Sequence, residues 1–91
     1  MIAMQAACEK LFKRYLKLVP GRDRVFAAQG RVMVIVETRQ WKLSYSSLEG
    51  VSFDISDPGG LFIEMSKEDK GQHLIPWGQL LRITVNEGPA Y

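Results

Sequence analysis

The sequence predicts a mainly β fold: one N-terminal helix followed by a small, strongly bent five-stranded antiparallel barrel. Three observations lead there. Apolar residues recur at helical spacing up to about residue 18, and beyond Gly30 they recur at every second position instead. The third is length, since 91 residues suit a single domain, 1–91, with the helix at 3–18, the barrel at 24–85 and a frayed tail at 86–91.

The helix rests on Met4, Cys8, Leu11, Tyr15 and Leu18, with Ala7, Phe12, Leu16 and Val19 widening the stripe. Gln5, Glu9, Lys10, Lys13, Arg14 and Lys17 fall mostly on the opposite side, and Glu9–Lys13 forms an i, i+4 pair. Pro20-Gly21 ends the run. Strands then follow at Val25–Gln29 and Arg31–Thr38, the second alternating Val32, Val34 and Val36 with Met33, Ile35 and Glu37. Trp41, Leu43 and Tyr45 share a parity with Val51, Phe53 and Ile55. One long strand from Trp41 to Ile55, bent at Gly50, is therefore expected. Asp57-Pro58-Gly59-Gly60 is a turn. Strands at 61–65, 73–77 and 81–85 complete the set, separated by a polar turn at 67–71 and a tight turn at 78–80. Val34, Val36, Leu43, Phe53, Ile63, Ile75 and Ile83 are the expected core, with Trp41 and Tyr45 beside them.

A domain this small has a thin core, burying only about 60–65% of its unfolded surface. Added stability must come from disulfides, metal or self-association. Cys8 is the only cysteine and His73 the only histidine, which leaves no internal disulfide and no ligand spacing for a metal. Self-association is the remaining expectation. No apolar run reaches the roughly 20 residues of a membrane span, and the charges near the N-terminus follow the apolar stretch rather than precede it. The expected location is cytoplasmic, with no membrane partner. Up to Lys42 there are nine Lys/Arg against three Asp/Glu, and from Leu43 onward three against seven. This asymmetry suits a polyanion on one face, or equally the pairing of identical subunits.

The segment Leu48-Glu-Gly-Val-Ser-Phe-Asp54, followed by Gly60-Leu61-Phe-Ile-Glu, resembles the first motif of the Sm-like proteins, a family of SH3-like barrels. His73-Leu-Ile-Pro-Trp-Gly-Gln-Leu-Leu-Arg-Ile83 is similar to the second in length and apolar pattern. The resemblance spans nearly the whole chain and implies a divergent member of bacterial or phage type. It also implies a homo-oligomeric ring in which strand 73–77 of one subunit pairs with strand 81–85 of the next, and RNA as a candidate ligand. A charge at Ile83 is expected to weaken such a ring, and Pro76, lacking an N–H, is expected at a strand end or facing away from the partner. Pro76-Trp77 stands where the eukaryotic and archaeal members carry Arg-Gly. Glycine near Gly59–Gly60 replaces the first motif's Asn, and the bacterial Lys-His pair is missing. The base-holding groups of the family are thus absent.

Candidate RNA-binding residues are Lys10, Lys13, Arg14, Lys17, Arg22 and Arg24, with Asp54 and His73 as additional contacts. Each has an ordinary alternative. The six bases could be a solvated face, Asp54 a turn cap and His73 a half-buried strand residue. Trp77 could stack a base or anchor the core. Cys8 lies on the apolar stripe and reads as an inert thiol. No His–carboxylate–nucleophile set, phosphate loop or metal motif is present, so the sequence calls for no cofactor and is not read as an enzyme. The competing function is a structural or protein-interaction homo-oligomer with no nucleic-acid ligand.

Overall fold

The computed structural model describes residues 3–47, 50–65 and 71–87. Its elements are α1 (Ala3–Tyr15), β1 (Lys17–Leu18), β2 (Val25–Ala27), β3 (Val32–Thr38), β4 (Lys42–Ser46), β5 (Val51–Asp54), β6 (Gly60–Met65), β7 (Gln72–Pro76), a 3-10 turn at Trp77–Gln79, and β8 (Leu80–Glu87). The fold is mainly β with one N-terminal helix, and every strand pairing is antiparallel. The expected five-stranded closed barrel is not what forms. Eight strands make two sheets, β1-β2-β5-β6-β7 and β4-β3-β8, and among the described residues no ladder joins them.

The extra strands have a physical origin. Gly30 and Gly50 sit at φ 74° and 67°, a left-handed conformation that interrupts an extended ladder. The chain passes from one sheet to the other at each: the strands expected at Val25–Gln29 and Arg31–Thr38 are β2 and β3, and the long bent one becomes β4 and β5. Ser47 ties this corner together, its hydroxyl donating to the Gly30 carbonyl and accepting from the Val32 N–H. The helix is also shorter than 3–18. Leu18 keeps helical spacing in the sequence, yet Lys17–Leu18 pairs with Phe26–Ala27 as an edge strand. Residues 86 and 87, expected in a frayed tail, extend β8 opposite Met33 and Val32. The remaining tail and most of the 67–71 turn lie outside the described residues.

Both sheets turn alternate residues into one core. Val32, Val34, Val36 and Thr38 are the buried positions of β3, and Phe26, Phe53 and Ile63 lie side by side across β2, β5 and β6. Phe12 of α1 stacks on Phe53 at 5.2 Å between ring centroids and meets Phe26 at 5.9 Å. The edge of Tyr45, from the other sheet, completes the cluster against Phe53. Aromatic contacts of this kind add about 0.5–1.5 kcal/mol each beyond area burial. Buried Gln5 donates its side-chain N–H to the Ile55 carbonyl at 2.7 Å, which leaves no orphan polar group beneath the helix.

Two of the expected core residues lie elsewhere. Leu43 and Trp41 are exposed, because β4 is a sheet edge and no element among the described residues covers them. Ile83 is partly buried against the core. Trp77 is buried, its indole N–H donating to the Asp57 carbonyl at 3.0 Å and so joining the Asp57–Gly60 turn to the 3-10 turn.

Gly60 lies opposite Pro76 in the β6–β7 pairing, and a Cβ there would collide with the Ile75 carbonyl oxygen. Only a backbone shift relieves that contact. Gly60→Ala is expected to lower stability by about 3 kcal/mol, seen as a lower urea midpoint. An unchanged midpoint would contradict the close approach.

Candidate nucleic-acid interface

The basic residues come from two elements that adjoin. Lys10, Lys13 and Arg14 project from the exposed side of α1, and Lys17 follows on β1, which α1 contacts. Arg22 and Arg24 belong to the turn between β1 and β2, closed by the Arg22 N–H on the Val19 carbonyl and the Val19 N–H on the Val25 carbonyl. Arg24 has φ 60°, the only non-glycine residue at positive φ among the described residues.

Carboxylates already engage half of this set. Glu9 Oε2 lies 3.5 Å from Lys13 Nζ and 3.9 Å from Arg24 Nε. Asp54 Oδ2 lies 3.8 Å from Arg22. Arg14 rests over the Tyr15 ring at 5.4 Å. Asp54 therefore does stand beside the basic turn, and it also caps its own loop. Its Oδ1 accepts from the Ser56 N–H at 2.9 Å and the Ser56 hydroxyl at 2.6 Å, the local role expected of an Asx turn.

His73 is not part of this group. It is a half-buried residue of β7 whose Nδ1 is 3.1 Å from the Tyr45 hydroxyl, a contact that bridges the two sheets on the side where β4 and β7 are edges. Beside it, Thr38, Gln40, Trp41, Leu74, Ile75, Pro76 and Gln79 line a cavity of about 270 Å³. A larger cleft of about 580 Å³ runs along Ala27, Ser52, Glu64 and Gln72. Its carboxylate, Glu64, accepts a hydrogen bond from Gln72 at 3.0 Å. Among the described residues no group of three or more His, Cys, Asp or Glu side chains converges as a metal site would require, and no helix is long and apolar enough to cross a membrane.

Sequence reasoning finds the basic face but misses the position of Glu9 at its centre. The i, i+4 spacing exposes the Glu9–Lys13 pair. Arg24, fifteen residues away, arrives only through the turn. No family model matches the chain, and neither a curated protein nor a solved structure matches it.

Cys8 is the remaining reactive group. It is buried in the α1 stripe near Met4, Leu11 and Ile83, and burial pushes its thiol up from 9.0 to about 11. The folded state thus holds its proton more tightly than the unfolded chain. The associated stability is complete below about pH 9 and declines as pH rises toward about 11. Cys8→Ala is expected to remove that part of the alkaline loss, measured by urea unfolding at pH 8 and pH 10. In the native protein a thiol reagent at pH 8 should leave Cys8 unmodified until denaturant is added.

Proposed function

We propose that this chain is a divergent Sm-like protein that assembles into a homo-oligomeric ring and binds single-stranded RNA through its phosphates, with weak sequence preference. The observation that carries the reading is the meeting of the basic side of α1 with the Arg22–Arg24 turn on one face of the domain. Phosphate contacts supply affinity without reading bases, which accords with a chain lacking the family's base-holding residues.

The order of elements supports the family assignment. Taken as bent strands interrupted at Gly30 and Gly50, the chain after the two-residue β1 runs as five strands, with a 3-10 turn before the last. Support for assembly comes from the edges. β7 and β8 each end a sheet, and Leu74 and Leu81 on them are 55% and 50% exposed. Pro76, which cannot donate to a ladder, is the last residue of β7. Head-to-tail pairing of β7 with a neighbour's β8 would cover both edges. These same exposed leucines favour the second reading, a structural homo-oligomer that carries no nucleic acid.

In a ring each subunit repeats the basic face, so modest contacts sum. Affinity for single-stranded RNA should fall with salt at a log–log slope of about −0.7 per neutralised phosphate. Replacing Lys13, Arg14 and Lys17 by Gln is expected to flatten that slope, whereas His73→Gln leaves it unchanged. If filter binding at low salt retains no RNA, the structural oligomer stands instead. Assembly is tested at Leu74 and Leu81, since Ile83 also lines the α1 contact and a charge there would test folding as well. Leu81→Glu should reduce the mass in solution toward 10.3 kDa, and an unchanged large mass would rule out this interface.

A further inference from the structure

The geometry points to a phosphate site between α1 and the β1–β2 turn that the chain fills with its own Glu9 carboxylate. This inference rests on the reading of the basic face as an RNA-binding surface and names the centre of that face.

Two cations from different elements converge on one oxygen. Lys13 Nζ and Arg24 Nε both approach Glu9 Oε2, at 3.5 and 3.9 Å. The anion sits deeper than the cations, at 21% exposure against 65% for Lys13 and 40% for Arg24. A carboxylate oxygen held beneath a lysine and an arginine occupies the place that a phosphate oxygen would take.

Arg24 shows that the pair is not merely a surface clip. Its φ of 60° is costly for a side chain larger than Gly or Asn. Its carbonyl accepts from the Ile55 N–H at 3.0 Å, which holds the backbone there. A solvent-facing ion pair returns too little to offset the strain. A glycine would serve the turn better, and the arginine side chain gains its purpose from an anion bound more strongly than Glu9.

Glu9 therefore acts as a competitor built into the site. An incoming phosphodiester must displace it before Lys13 and Arg24 become available, and this limits affinity for RNA. Removing the charge of Glu9 while keeping its size leaves both cations in place and unopposed.

The test measures binding of a single-stranded oligouridylate at low salt to the full chain and to four variants. Glu9→Gln should bind about five-fold more tightly, the factor that one unit charge at about 4 Å exerts in water. Asp23→Asn makes the same change of net charge on the same turn and should give a clearly smaller gain. Adding Arg24→Gly to Glu9→Gln should abolish the gain while easing the backbone. Glu9→Ala, as a second variant at the site, should follow Glu9→Gln. Equal gains from Glu9→Gln and Asp23→Asn would overturn the site and leave the RNA reading intact. No retention of RNA by the wild-type chain or any variant would overturn both.

Discussion

Everything else in this domain depends on Phe12, whose ring docks the helix onto Phe26 and Phe53 in the core. Each sheet has two edges, and a pair of sheets that does not close leaves two flanks through which water can reach the core. α1 contacts β1 on one sheet and β8 on the other, so it lies across one flank. Fully buried Phe12 reaches inward to Phe26 and Phe53, and Gln5 satisfies the Ile55 carbonyl beside them. The helix is thus a third wall of the core. Its thirteen residues would be marginal in isolation, so sheet and helix stabilise one another.

Sealing one flank defines the other. Between β4 and β7 the chain offers two strand edges, the Tyr45–His73 contact, and the exposed side chains of Trp41, Leu43 and Leu74. The basic residues lie on the helix side, and exposed Trp41, Leu43 and Leu74 on the opposite one. In the proposed ring β7 of the open flank would meet a neighbour's β8, whose own edge lies on the helix side. Placement of the charged surface also follows from the core: α1 is held by Phe12, and that docking brings Glu9 within reach of the Arg24 turn.

Much of the fold is legible in the sequence because alternation reports burial directly. Val32, Val34 and Val36 read as one face and are one face. The Asp57-Pro58-Gly59-Gly60 turn reads from chemistry alone, and the Gly59 N–H on Asp57 Oδ1 bears it out. Periodicity does not report which strands are edges, so Trp41 and Leu43 read as core although they are exposed. Nor does it separate Leu18 in a last helical turn from Leu18 in a two-residue strand, since pairing with Phe26 decides that. At the candidate site the basic residues are visible as a cluster. Their partners, Glu9 to Arg24 and Asp54 to Arg22, depend on turn geometry and on contacts 15 and 32 positions apart, which local spacing cannot reveal.

Through Phe12 the helix and the sheets form one cooperative unit. The most direct test is urea unfolding of Phe12→Ala, followed together by circular dichroism at 222 nm and by tryptophan fluorescence, with Trp77, buried in the 3-10 turn between β7 and β8, as the reporter. A loss of about 3–5 kcal/mol is expected, with the two signals still moving in one coincident transition. If the helical signal is lost first while the fluorescence transition keeps its wild-type midpoint, α1 is an appendage and the account is contradicted.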